Sequence, residues 1–359
     1  MPTFHPLIVH AIDRVADDAV SITLKVPASL RDAFGHRSGQ YLPVRRVIGG
    51  RKEYRTYSIV SVPGAEHLKI GVRIHAQGRM SGELGKLLQV GDQLDVGVPA
   101  GKFLTRVDVA REQSYVAFAA GSGITPILSL AADILGREPA SRFTLVYGNR
   151  SMSRTMFLEE TLVLKNRYLK RFAVHFVMSR EPQQSAMLNG RIDAAKVREL
   201  VAGIEGLGDA DEYFICGPGA MVDELRGVLG EINPRAVVLF ERFATANPRA
   251  NSAPEAIEVA ESAGELLATV SVTMDGRTRS FPMSTQDASV LDAAERSGLD
   301  LPFSCRSGIC ATCRVRVVEG VVQMDHNIAL APWEIEAGFV LCCQARPKTP
   351  SLQLSYDEK

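Results

Sequence analysis

Residues 301–320 read LPFSCRSGICATCRVRVVEG, and this stretch decides the architecture of the C-terminal part of the chain. Four residues separate Cys305 from Cys310 and two separate Cys310 from Cys313, while an adjacent pair, Cys342 and Cys343, follows in GFVLCCQARP. A C-x4-C-x2-C run with a distant fourth thiolate is the spacing that encloses one [2Fe–2S] cluster. Two irons need four thiolates at the corners of a rhomb, and the loop has to curl so that its N–H groups face the sulfurs. Gly308 and the small residues Ser304, Ser307 and Ala311 permit that approach. A structural zinc site would use two C-x2-C pairs, and only one is present. Adjacent residues of a strand point to opposite faces, so only one of Cys342 and Cys343 can reach the iron.

Working outward, LATVSVTMDGRTRSFPM and the helical run SVLDAAERSG precede the cysteines and define a small domain over residues 267–359. Residues 244–266, ATANPRANSAPEAIEVAESAGEL, have no aromatic residue and read as a linker. Before it, strands that are apolar throughout (YVAFAA, FTLVYGN, FAVHFVM, DEYFI) alternate with turns and helices over residues 107–243, the pattern of a parallel α/β sheet. Over residues 1–106, short β-rich runs such as AVSITLKVP, YRTYSIVSV and LKIGVRIHA are separated by Gly and Pro, as in an antiparallel barrel.

The 359 residues carry 41 Lys and Arg against 41 Asp and Glu, so the strong basic field of a dedicated nucleic-acid binder is missing. Residues 251–359 hold 9 basic against 15 acidic side chains and residues 1–250 hold 32 against 26, an acidic tail on a basic body. No stretch is apolar enough to span a bilayer, and six cysteines clustered toward one end suit metal ligation more than disulfide stapling. The expectation is a cytoplasmic protein with neither nucleic acid nor membrane as partner. The seven histidines show no ligand spacing and are assigned no metal.

Three further motifs bear chemistry. Arg55, Thr56, Tyr57 and Ser58 lie on one strand: an Arg can neutralise a pyrophosphate, a Tyr can stack on a ring system and a Ser can hydrogen-bond a ring nitrogen. Gly78, Arg79, Met80 and Ser81 then open a helix and offer a phosphate an N-terminus and a hydroxyl. Gly121, Ser122, Gly123, Ile124, Thr125 and Pro126 join an apolar strand to a helix, where glycines let a dinucleotide's phosphates approach the backbone, although G-x-G-x-x-G is absent. Cys216, Gly217, Pro218, Gly219 and Met221 occupy the equivalent loop of a later strand.

In this order and spacing, R-x-Y-S, G-S-G-I-T-P and C-G-P-G resemble the ferredoxin–NADP reductase superfamily. With the plant-type ferredoxin tail, the whole chain resembles oxygenase reductases that carry both centres in one polypeptide. TFHPL, FTLVYGNRS, FERF at 240–243 and the cysteine loop are most similar to the reductases of phenylacetyl-CoA epoxidase systems. The resemblance implies a Greek-key FAD barrel, an NAD(P) domain and a β-grasp ferredoxin domain. It places Cys343 on the cluster with Cys305, Cys310 and Cys313, leaving Cys342 where ferredoxins often carry Thr. It also implies that Arg55 binds the FAD pyrophosphate and that Tyr57 and Ser58 lie against the isoalloxazine. Val72, Arg73, Ile74 and the segment from Gly78 to Ser81 would hold the rest of FAD. The loop from Gly121 to Pro126 would hold the coenzyme phosphates, with Cys216 near the nicotinamide and Phe243 and Glu241 near the flavin edge.

After FTLVYGN come Arg150, Ser151 and Arg154, with no acid in the segment to bind a free ribose 2′-OH, so NADPH is expected over NADH. The implied partner is an oxygenase component, a diiron epoxidase of several subunits, which receives electrons from NADPH through FAD and the cluster. A steroid hydroxylase, a Rieske oxygenase or a hybrid-cluster protein is the alternative acceptor, and a redox sensor the alternative class.

Overall fold

The computed structural model describes residues 4–243, 265–303, 305, 306, 308 and 311–358. The chain forms two compact units, residues 3–245 and 246–359.

The first unit begins with six antiparallel strands: β1 (Phe4–Ala16), β2 (Ala19–Lys25), β3 (Tyr41–Ile48), β4 (Arg51–Ser58), β5 (His67–Arg73) and β6 (Gln93–Gly97). Their order is β4-β3-β6-β1-β2-β5, a Greek-key arrangement, and a bridge from Ile59 to Ile70 ties its two edges into a barrel. Alternate residues fill the interior: Leu7 and Val9, Ile22 and Leu24, Leu42 and Val44, Ile70 and Val72, Leu94 and Val96 are all essentially buried. Each such side chain contributes about 1.5–3 kcal/mol by leaving water. Helix α1 (Arg79–Lys86) adds Met80 and Leu84 to this core.

The same unit continues as a parallel sheet of β7 (Ser114–Ala120), β8 (Arg142–Asn149), β9 (Phe172–Met178), β10 (Glu212–Pro218) and β11 (Val237–Phe243), ordered β11-β10-β7-β8-β9. Helices α2 (Ile124–Arg137), α3 (Leu158–Arg167), α4 (Ala194–Gly203) and α5 (Gly219–Ile232) connect the strands. Residues from Tyr115 to Ala119 are fully buried because both faces are covered. Tyr115, Ala117, Ala119, Tyr147, Phe214 and Cys216 face α2 and α3, and that core also takes in Ala19, Val60 and Phe103 from the barrel side. Val116, Phe118, Val146 and Ile215 face the core that includes Val197 and Leu225 of α4 and α5.

The second unit is a small α+β domain. It contains β12 (Leu266–Met274), β13 (Arg277–Ser284), β14 (Arg314–Glu319), β15 (Val322–Met324), β16 (Phe339–Leu341), β17 (Ala345–Pro347) and β18 (Ser351–Ser355), with α6 (Val290–Arg296) and α7 (Pro332–Glu336). The main sheet runs β13-β12-β18-β14-β16, with β12 and β18 parallel and the other pairs antiparallel. This is the β-grasp arrangement. The linker expected at 244–266 falls, up to residue 264, outside the described residues, as do Ser304, Ser307 and Cys310.

Candidate flavin, nucleotide and iron–sulfur sites

The chain runs outward from β7 through β8 to β9, then returns to the other side of β7 to lay down β10 and β11. The crevice at such a switch point lies at the carboxyl ends of the two diverging strands. Gly121, Ser122 and Gly123 form a 3-10 turn after β7, and α2 follows with Thr125 and Pro126 in its first turn. Thr125 Oγ1 donates to the Ser122 carbonyl at 2.9 Å and fixes that turn. A Cβ on Gly123 would lie 2.1 Å from the carbonyl oxygen of Cys216, and one on Gly217 would lie 2.6 Å from Met221 Cε. Glycine at 123 lets the two loops press backbone against backbone, and glycine at 217 makes room for the Met221 side chain. Pro218 ends β10 and Gly219 opens α5.

Cys216 stands in register with Glu241 on β11, and Pro218 with Phe243. From the barrel, Ser58 at the end of β4 is buried, and its Oγ donates to Glu241 Oε2 at 3.4 Å. Ser58, Glu241 and Cys216 therefore meet where the barrel and the parallel sheet adjoin. Desolvation raises the Glu241 carboxyl to about 7, against the pull of the Ser58 hydroxyl. Burial, and then the Glu241 charge, push the Cys216 thiol well up, so Cys216 stays a neutral thiol. Tyr57 packs against the barrel core, and burial raises its phenol despite the nearby Arg55. Phe243 packs against the core beneath α2.

Arg55 and Arg79 converge on one carboxylate, with Glu53 at 3.6 Å and 2.9 Å respectively. Thr56 sits half-buried between Arg55 and Tyr57. Gly78 caps α1, and Ser81 Oγ closes the turn by donating to the Gly78 carbonyl at 3.3 Å and accepting from His75 N at 3.2 Å. Met80 and Val72 point into the barrel core, so at those positions only the backbone is open to a ligand. Ile74 packs on Gly85, where a Cβ would lie 2.4 Å from Ile74 Cγ1.

Arg73 gives Nη1 to Asp18 at 2.5 Å and Nη2 to the Arg154 carbonyl at 2.9 Å, while its Nε is buried with no hydrogen-bond partner among the described residues. That Nε lies 3.9 Å from where a Gly121 Cβ would stand. An unfilled guanidinium donor beside the glycine turn, with two arginines sharing one carboxylate at the head of α1, fits phosphate oxygens. The residues present therefore suit a flavin nucleotide on the barrel and a nicotinamide nucleotide in the crevice.

Arg150 is exposed, Ser151 Oγ lies 3.4 Å from Ser153 Oγ, and Arg154 is paired with Asp18. The segment has no acid of its own, but the fold brings two to it. Asp18 comes from the β1–β2 turn, and Glu181 accepts from Met152 N at 2.8 Å.

In the second unit, Cys313 Sγ and Cys343 Sγ are 3.3 Å apart, and Gln344 Nε2 points at Cys343 Sγ from 3.6 Å. Arg306, Gly308 and Ala311 take φ of 54°, 74° and 54°, so the loop curls through three left-handed positions. A Cβ on Gly308 would meet the His326 carbonyl at 2.7 Å. Cys305 lies within electrostatic reach of Cys343, with Gly308 N–H donating to Cys343, whereas Cys342 turns away and its Sγ accepts from Tyr356 Oη at 3.3 Å. A close pair of thiols with Cys305 in reach and the Gly308 N–H aimed at Cys343 suits an iron–sulfur cluster; Cys310 lies outside the described residues.

Glu53, Asp18 and Tyr356 were not among the sequence candidates. Glu53 was within reach of that reading, since it stands two residues before Arg55 on the same face of β4. Asp18 and Tyr356 arrive from distant segments and leave no local signal.

Sequence models of three families match the chain. They are the oxidoreductase FAD-binding domain over residues 6–104, the oxidoreductase NAD-binding domain over 118–226 and the 2Fe-2S iron-sulfur cluster binding domain over 272–348. The chain is 39% identical to one of the subunits of the 1,2-phenylacetyl-CoA epoxidase of Escherichia coli K12, covering 100% of this chain and 99% of that one. It is 32% identical to the ferredoxin reductase component of a 3-ketosteroid-9-alpha-monooxygenase from Rhodococcus rhodochrous, over 98% and 96% of the two chains. Among solved structures, phthalate dioxygenase reductase superposes with a TM-score of 0.60 at 22% identity, covering 98% of each chain, and so shares the fold. With FAD-, NAD- and 2Fe-2S-binding domains in one polypeptide and that full-length identity, the chain belongs to the NAD(P)H-dependent flavin iron–sulfur reductases that serve oxygenases.

Proposed function

We propose that this reductase takes electrons from NADPH and delivers them to the diiron oxygenase of a phenylacetyl-CoA epoxidase system. The observation that carries the reading is the full-length identity of 39% to the Escherichia coli epoxidase component, against 32% to the steroid-monooxygenase reductase. When bound, FAD accepts hydride from the nicotinamide and releases electrons to the [2Fe–2S] cluster.

The chain's own residues position and shield these groups. Arg55 and Arg79 hold the flavin pyrophosphate, and Tyr57 and Ser58 border the ring. The turn at Gly121, Ser122 and Gly123 receives the coenzyme phosphates at the head of α2. Buried Cys216, with Glu241 and Phe243, excludes water from the face where the nicotinamide lies. Cys305, Cys310, Cys313 and Cys343 hold the cluster, and Cys342 is spared for Tyr356. Residues up to 106 serve the flavin, 107–243 the coenzyme and 267–359 the cluster, in a cytoplasmic protein.

The test is acceptor-dependent coenzyme oxidation by the purified holoenzyme. Epoxidation of phenylacetyl-CoA with the purified diiron component, at a rate well above that supported with a Rieske or steroid oxygenase, is the expected outcome. Faster transfer to one of the latter would reassign the partner.

A further inference from the structure

At the corner where the barrel meets the 151–157 segment one carboxylate holds two arginines, and a third, Arg150, immediately precedes that segment. Asp18, on the tight turn between β1 and β2, binds Arg73 of the barrel through Oδ1 and Arg154 of the nucleotide domain through Oδ2. Arg73 also donates to the Arg154 carbonyl, so the two arginines and Asp18 close a ring. Around it the backbones are joined: Asp17 N donates to the Ser153 carbonyl at 3.0 Å and Phe157 N to the Val15 carbonyl at 3.2 Å. Phe157 is fully buried at a left-handed φ of 55°, an uncommon conformation for a bulky residue. Its ring fills the space that a side chain on Gly71 would need, where a Cβ would lie 2.7 Å from Phe157 Cε2 and 2.7 Å from Thr125 Cγ2. Flavin strand β5 and the first turn of α2 are thereby wedged on the same residue.

Arg150 stands apart from this clasp. It is exposed, and among the described residues its guanidinium makes no hydrogen bond or ion pair. Burial lowers the His75 imidazole, and Arg150 lies close enough, with Arg73 and Arg154, to help keep it uncharged.

We propose that Asp18 sorts these arginines: it commits Arg73 and Arg154 to joining the two domains and leaves Arg150 as the cation that meets the ribose 2′-phosphate of the coenzyme. Asp18 is a positioning residue, and Arg154 is structural. The inference rests on the NADPH reading above and refines it, since that reading gave Arg150 and Arg154 equal parts.

The experiment is steady-state and stopped-flow reduction of the holoenzyme's flavin by NADPH and NADH in four variants. Arg150→Ala is expected to cut the NADPH-over-NADH preference in kcat/KM about tenfold, through NADPH KM, as loss of one charge-assisted contact. Arg154→Ala should leave that ratio in place while slowing flavin reduction by both coenzymes alike. Asp18→Asn should release Arg154, strengthen the preference for NADPH severalfold and slow reduction by both coenzymes. Asp18→Glu, which keeps the charge, should restore both. A wild-type enzyme without preference for NADPH would overturn the coenzyme reading itself. A wild-type preference that Arg154→Ala abolishes and Arg150→Ala spares would overturn the sorting alone. Retained flavin absorbance in each variant separates these outcomes from failure to fold.

Discussion

Glu241 shows how placement gives an ordinary side chain a use. Its carboxyl is raised to about 7 by desolvation and touches Ser58, so it changes charge near neutral pH. On the reading proposed above, a carboxylate at Glu241 would stabilise the positive charge of a nicotinamide that has given up hydride, and a neutral carboxyl would not. The rate of flavin reduction should therefore rise as pH increases through about 7, the value to which Glu241 is raised, and Glu241→Gln should flatten that limb. Stopped-flow rates between pH 5.5 and 8.5 check it. Arg55, Tyr57 and Ser58 stand out as candidates in the sequence because three chemically distinct groups crowd one strand, and the fold sets Ser58 against Glu241. Asp18 does not stand out, because its meaning depends on Arg154, 136 residues away in the chain. The choice between Cys342 and Cys343 was open on strand alternation alone. The fold points one thiol toward Cys313 and the other toward Tyr356. Cys343→Ser should lose iron and sulfide, while Cys342→Ser should keep a full cluster, as judged by metal content and the visible spectrum.

The connections between elements hold the nucleotide crevice to a narrow tolerance. Gly123→Ala would push a methyl into the Cys216 carbonyl, 2.1 Å away, with backbone on both sides and no flexible side chain to yield. Overpacking of this kind costs about 1–3 kcal/mol, so a lower melting temperature together with a raised coenzyme KM is expected. Gly219→Ala, where a Cβ meets nothing within 4 Å, is the control. The parallel sheet could be read from the sequence because strands buried on both faces are apolar throughout. The first strand, Phe4–Ala16, was overlooked for the converse reason: only Leu7 and Val9 are buried within it, so its alternation is diluted by exposed charge and by bulges. Helix α7 was likewise missed, being five residues long with Trp333 and Ile335 exposed.

The chain as a whole divides into two compact units. Residues 3–245 contain every flavin and coenzyme candidate, so a chain ended at Thr245 should still oxidise NADPH with ferricyanide and should no longer support an oxygenase. The curled cysteine loop carries a further consequence for how the smaller body survives. Arg306 and Ala311 both hold left-handed backbone, a conformation that costs side-chain-bearing residues about 1–3 kcal/mol each. Metal-binding energy in such a domain is folding energy, so a bound cluster offsets this strain. The cluster is then a keystone as well as a wire. Removing iron with a chelator under reducing conditions should melt residues 265–358 at a lower temperature, while the transition of residues 3–245 stays where it was. Iron supply would govern how long the acidic tail lasts in the cell, leaving behind a flavoprotein that still consumes coenzyme and has nowhere to send the electrons.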